Sequence, residues 1–211
     1  KRILSAYTNT FNYLLFHPDY GIWMGATPER LITMSDRRLQ TMALAGTRRL
    51  ETNEWGIKEK EEQEFVVQEI VNTLAQYTAS ELINYSDAET IRAGQLEHLR
   101  TTITAELSIS PIDAAHALHP TPAVGGVPKQ DAVDFIRNQE QLDRSLYSGF
   151  LGVVYPEQTS LYVNLRCMSV HDDKATVYIG GGITEKSDPH DEWQEVLYKA
   201  NTMGRILASE Q

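Results

Sequence analysis

Glu192, Glu195 and Lys199 lie three and four residues apart near the end of a 211-residue chain. At about 100° per residue a helix places all three on one narrow stripe. Two carboxylates on a stripe can hold a divalent cation, and an ammonium one turn on can meet an anionic group. The same spacing describes a solvated Glu-to-Lys pairing on an exposed helix, and spacing alone leaves both readings open. A second polar series, Glu59, Glu62 and Gln63, opens a segment whose apolar residues Phe65, Val66, Ile70, Val71 and Leu74 have an amphipathic period. Extended backwards, that stripe puts Glu59 and Gln63 on the core-facing side and Glu62 at its edge. The helix dipole favours acidic residues in a first turn, yet a polar turn continuing a buried stripe also suits a helix end at a cavity. Two such helices, each giving one carboxylate, match magnesium, which prefers oxygen ligands.

Other residues carry weaker signals. Glu29 follows Pro28 at a bend between strands, where a glutamate is usually solvated. Arg166 falls inside the apolar run 161–168, read as one strand; a buried guanidinium there needs an anion. His98 reads equally as a core histidine or a ligand contact. Gly180 to Gly182 lacks the Gly-Lys-Ser/Thr ending of a phosphate loop, leaving a bulge or a close backbone approach to a ligand.

Composition narrows the partners. A formal charge of −10 argues against a nucleic-acid backbone or an anionic membrane. The lone Cys167 forms no internal disulfide, so a reducing cytoplasm is the expected location. The six scattered His offer no zinc spacing. No apolar run approaches the ~20 residues of a membrane span. Lys1 to Tyr7 has no initiator Met and no long apolar core, which reads as a trimmed or processed boundary.

The elements that must position these residues alternate in type. Strands are expected at 11–16, 22–25, 31–34 and 39–44, and strand-like stretches over 85–104. Helices are expected over 58–78, 112–118 and 129–144. Strands follow at 149–155, 160–170 and 175–179. A final helix is marked by Asp188 as N-cap, Pro189 at the first helical position and Asp191 in the first turn. Its apolar face holds Trp193, Val196, Leu197, Ala200 and Leu207. Strands grouped as hairpins, not βαβ units, predict an α+β fold with a mainly antiparallel sheet. No linker-like composition divides residues 1–211, so one domain is expected.

The segments Gly25-Ala26-Thr27-Pro28-Glu29-Arg30-Leu31, Leu44-Ala45-Gly46-Thr47-Arg48 and Lys58 to Gln63 resemble chorismate-utilising enzymes. So do Leu118 to Ala123, Tyr147-Ser148-Gly149, Leu165-Arg166-Cys167, and Ser187-Asp188-Pro189 with Glu192 to Glu195 and Lys199. They occur in the family's order from Gly25 to Lys199. The family includes isochorismate, salicylate, anthranilate and aminodeoxychorismate synthases. The Asp-Pro-x-x-Glu-Trp-Gln-Glu ending and Arg144 to Gly149 are most similar to isochorismate synthases.

The resemblance implies a large α+β fold of mainly antiparallel sheets with helices packed outside and a magnesium-bound site between the sheets. It makes Glu29 the general acid for the departing C4 hydroxyl. Glu62 and Glu195 would hold Mg²⁺, with Glu192 supporting through water. Arg166 and Lys199 would bind carboxylates, helped by backbone groups near Gly46 and Gly181, while Tyr147 and His98 line the pocket. Gln63 stands where the family usually has His. The family's base, a lysine that activates water, lies well upstream of the acid, and only 28 residues precede Glu29. The chain is therefore expected to be the C-terminal portion of one catalytic domain, with its N-terminal part missing and no turnover of its own. A lyase of the same family and a non-catalytic chorismate-binding fragment are the alternatives. The implied ligand is chorismate or isochorismate, and the full enzyme is expected to be a monomer. The pathway stays open among menaquinone, siderophore and salicylate.

Overall fold

The computed structural model describes residues 10–49, 54–93, 96–183, 185 and 187–207. Lys1 to Tyr7 and the side chains of Thr47 and Leu207 lie outside the described residues. The chain divides into two compact units: residues 1–29, 138–152 and 162–211 form the first, and 30–137 and 153–161 the second.

The first unit holds a four-stranded antiparallel sheet in the order β1-β2-β10-β11, from Phe11–His17, Gly21–Thr27, Cys167–His171 and Lys174–Tyr178. β1 and β2 form a hairpin in which Tyr13 faces Gly25. A side chain at Gly25 would come within 2.7 Å of the Tyr13 ring, so the glycine makes room for the phenol. Trp23, Ala26 and Met168 are fully buried here. The expected final helix is present as Pro189–Leu207 (α5). Asp188 Oδ1 accepts from the backbone N–H groups of His190 at 2.9 Å and Asp191 at 3.1 Å, the predicted cap.

The second sheet runs β5-β7-β4-β3-β9-β8, with β6 also paired to β7. Its strands are β3 (Arg30–Ser35), β4 (Arg38–Arg49), β5 (Ile83–Tyr85), β6 (Glu89–Ala93), β7 (Leu96–Glu106), β8 (Phe150–Val154) and β9 (Thr159–Val163). The unit boundary falls within β8 and β9. Helix α1 (Ile57–Leu74) packs on β4 and β7 and buries Gln63, Val67, Ile70 and Leu74, so a polar side chain does continue the buried stripe. Helices α2 (Pro111–Leu118) and α3 (Pro122–Gly125) lie in this unit, as does α4 (Lys129–Gln139) up to Arg137. The α+β class and the antiparallel pairing are as expected.

Three expected boundaries are corrected. The helix predicted to reach Thr78 ends at Leu74, because its last turn tightens into i→i+3 bonds such as Tyr77 N–H to Leu74 O at 2.9 Å. The helix predicted to reach Arg144 ends at Gln139; Glu140 and Arg144 still pair at 2.5 Å, but beyond the helix. The strand predicted over 160–170 is two strands, β9 and β10, on different sheets. Arg166 is therefore not inside a strand: it sits in the break with φ +48°, in the left-handed region.

Candidate active site

In the first unit, Glu29 follows β2 and is half-buried, and its backbone carbonyl accepts from Val163 N–H at 3.0 Å. The Arg166 carbonyl accepts from Ala26 N–H at 3.2 Å, which ties the left-handed turn to the end of β2. Tyr147 is half-buried and stacks on Tyr178 with centroids 5.7 Å apart. Burial is the main cause that raises its phenol pKa; Arg144 opposes, while Cys167, Glu140 and Glu29 add to the rise. Tyr147 is thus a neutral hydroxyl at ordinary pH. Its oxygen stands 2.8 Å from where a Cβ on Gly180 would lie, so the glycine leaves space for the phenol.

Helix α5 directs its acidic stripe at the segment after β11. Glu192 Oε2 and Glu195 Oε1 lie 3.4 and 4.0 Å from the point where a Cβ on Gly181 would sit. Ser187 Oγ donates to Glu192 Oε1 at 2.6 Å. Lys199 Nζ is 2.7 Å from Glu195 Oε1 and donates to the Gly180 carbonyl at 3.2 Å. The Glu-to-Lys pairing considered from spacing is therefore present. It is also gathered over a glycine segment with no side chain to fill the space, which a plain surface pair does not require.

In the second unit, the β4–β7 register shifts between Ala45 and Thr47, leaving Gly46 as a bulge at φ +63°. A Cβ there would meet the Glu59 carbonyl oxygen at 3.0 Å, so the bulge and the first turn of α1 approach closely. Gln63, only 3% exposed, locks that approach. Its Oε1 accepts from Ala45 N–H at 2.9 Å, and its Nε2 donates to Thr101 Oγ1 at 3.0 Å and Ala43 O at 3.3 Å. Glu62 is half-buried and pairs with Lys58 at 3.4 Å. His98 lies opposite Thr47 in the register. The motif around Gly46 and the motif that opens α1 thus meet here.

The predicted site residues divide between the units. Glu29, Tyr147, Arg166, Gly181, Glu192, Glu195 and Lys199 fall in the first, and Gly46, Glu62 and His98 in the second. Among the described residues no group of three or more His, Cys, Asp or Glu is placed to hold a metal ion. Glu192 and Glu195 each carry hard oxygen donors of the kind magnesium accepts. Sequence reasoning missed Asn164, buried at 4% exposure in the β9–β10 break, and its partner Tyr13. The available signal was an Asn interrupting an apolar run, which marks a turn better than a strand interior.

A seven-stranded sheet faced by α1, and an acidic helix end over a glycine segment, define a recognisable class. The chain belongs to the chorismate binding enzyme family, whose model matches residues 1–208. It is 30% identical over 214 residues to the isochorismate synthase MenF of Escherichia coli K12, covering 96% of this chain and 49% of that protein. It is 29% identical to the isochorismate synthase EntC of the same organism, covering 98% of this chain and 56% of that protein. The solved structure of the menaquinone-specific isochorismate synthase MenF from Escherichia coli superposes with TM-score 0.88 at 28% identity, over 98% of this chain and 52% of that one. Anthranilate synthase component I from Streptococcus pneumoniae shares the fold, with TM-score 0.79 at 22% identity over 95% of this chain and 47% of that one. The chain spans about half the length of the curated relatives it matches.

Proposed function

We propose that the complete protein carrying this chain is an isochorismate synthase, which adds water at C2 of chorismate as the C4 hydroxyl leaves. The observation that carries the reading is the α5 cluster, where two carboxylates and an ammonium gather at Gly180 and Gly181. Chorismate is a dianion, so a site for it must combine cations for its carboxylates with an acid for its leaving group. Similarity to two enzymes named isochorismate synthase, at about 30% identity, supports the same assignment.

In this reading Glu29 donates the proton to the departing C4 oxygen. Its main chain is held by Val163, so the carboxyl is presented from a fixed backbone. Arg166 and Lys199 bind carboxylates of the substrate, with backbone groups at Gly46 and Gly181. Tyr147 and His98 line the pocket, Tyr147 as a neutral hydroxyl. Glu62 and Glu195 would hold Mg²⁺, with Glu192 supporting through water, and the ion would supply positive charge for a ring carboxylate. The base that activates water is assigned to none of these residues. Both units are read as parts of one catalytic domain, supported by a single family match that runs across both.

Among the described residues no helix is long and apolar enough to cross a membrane. The lone thiol supports a cytoplasmic assignment. The test is product analysis: the complete protein, given chorismate and Mg²⁺, is expected to yield isochorismate. Salicylate alone, or an ammonia-dependent aminated product, overturns the assignment in favour of a lyase of the family.

A further inference from the structure

The break between β9 and β10 is three residues long, Asn164 to Arg166, and all four polar atoms of Asn164 are hydrogen-bonded. Its Oδ1 accepts from the Tyr13 hydroxyl at 2.6 Å, and its Nδ2 donates to the Leu146 carbonyl at 2.7 Å. Its backbone N–H donates to Gly149 O at 2.7 Å, and its carbonyl accepts from Ser148 N–H at 2.9 Å. Asn164 itself is buried, so breaking these bonds would leave its polar atoms with little access to water.

Those four bonds tie the break to two segments, β1 through Tyr13 and residues 146–149. Leu146, Ser148 and Gly149 are fixed on both sides of Tyr147, which leaves that phenol little backbone freedom. On one side of Asn164 in sequence, Val163 N–H holds the Glu29 carbonyl, and Val163 O accepts from Thr27 Oγ1. On the other side, the left-handed Arg166 returns its carbonyl to Ala26 N–H. The chain enters and leaves this short break on different sheets, so a side chain that fixes the break also fixes the backbone of Arg166 two residues on.

We infer that Asn164, buttressed by Tyr13, is a positioning residue that sets the backbone carrying Glu29, Tyr147 and Arg166. It acts through those three residues and not by touching substrate. The inference rests on the functional reading above for its kinetic consequence, but not for its structural one.

The test compares the complete protein with its Asn164→Ala, Asn164→Asp and Tyr13→Phe variants. Asn164→Asp keeps the acceptor for Tyr13 and loses the donor to Leu146. Tyr13→Phe keeps the bond to Leu146 and removes the partner of Oδ1. Hydrogen–deuterium exchange is followed by mass spectrometry over 25–29, 146–149 and 163–167, with α1 as the internal reference. Chorismate turnover is measured per folded molecule. The expected result is faster exchange in all three segments with α1 unchanged. A misplacement of about an ångström can cost ~10²-fold in rate, so kcat is expected to fall about tenfold or more. Tyr13→Phe is expected to change both readouts in the same direction but less. Should Asn164→Ala not fold, the other two variants decide. Unchanged exchange at 25–29 and 146–149, or activity lost only in proportion to folded protein, overturns the inference. A wild-type protein that makes no isochorismate sinks the functional reading instead, and exchange still decides the positioning.

Discussion

Lys199 Nζ stands 2.7 Å from Glu195 Oε1, one helical turn away, and reaches past it to the Gly180 carbonyl at 3.2 Å. Both side chains are about one-third exposed, at 35% and 37%, so the pair contributes at most ~0.5 kcal/mol to folding. It places an ammonium on the glycine segment, and on the proposed reading that ammonium meets a carboxylate of the substrate. Lys199→Met is therefore expected to leave the melting temperature nearly unchanged. The KM for chorismate is expected to rise about tenfold or more, since a charge-assisted bond is lost. Steady-state kinetics beside a thermal melt separate the two effects. An unchanged KM removes Lys199 from carboxylate binding.

Gln63 gives the opposite balance. Its amide is buried and makes three hydrogen bonds that join α1 to β4 and to Thr101. Gln63→Ala strands the Ala45 N–H and the Thr101 hydroxyl, each a group whose loss of a partner costs ~1–3 kcal/mol when buried. A clearly lower denaturant midpoint is expected. Since the same bonds hold the Gly46 bulge beside Glu59, turnover should fall along with stability. Equilibrium unfolding in urea, with activity measured on the folded fraction, checks both. A midpoint equal to wild type would mean that water replaces the amide at no cost.

These residues show why some of the fold was legible and some was not. The α5 cap could be read because Asp188, Pro189 and Asp191 act within one turn of each other. The buried stripe of α1 could be read back to Gln63 because helical period is also local. Arg166 was misplaced because its turn is set by contacts remote in sequence: Asn164 bonds to Leu146, 18 residues away, and to Tyr13, 151 residues away. Glu140 and Arg144 misled in another manner. They stand at helical i,i+4 spacing and do pair, but a turn brings them together as well as a helix does. The order of motifs pointed to the family, while the bonds that fix their backbones were visible only in three dimensions.

Alkaline pH should destabilise the fold. Burial is the main cause that pushes the Cys167 thiol from its ordinary 9.0 up to about 12, and burial likewise raises the Tyr13 phenol. Below pH 9 the thiol is protonated in both folded and unfolded chains, so its contribution is fully present. Between about 9 and 12 the unfolded chain releases the proton first, binds fewer protons than the folded one, and stability falls as pH rises. Urea midpoints are expected to decline steadily over that window, and Cys167→Ala should flatten part of the decline. A neutral, fully buried thiol should also resist alkylation at about pH 8 until the protein is unfolded. Rapid alkylation of the native protein would contradict a buried, protonated thiol.

Glu29 offers the sharpest separation of binding from chemistry. Its carbonyl is fixed by a backbone bond from Val163, which a change of side chain leaves in place. Glu29→Gln is nearly isosteric, so it should fold, melt close to wild type and keep the backbone path into β3. On the proposed reading, what it loses is the proton for the leaving C4 oxygen. General acid catalysis typically contributes ~10²–10⁴-fold, so kcat in the complete protein is expected to drop by that order. Binding is expected to persist, because the cations assigned to the substrate carboxylates, Arg166 and Lys199, are untouched. Titration calorimetry with chorismate, run beside turnover of the same preparation, tests both halves at once. Retained affinity with lost turnover supports Glu29 as the acid. Equal loss of both would make it a binding residue, and wild-type turnover would pass the acid's role to another group.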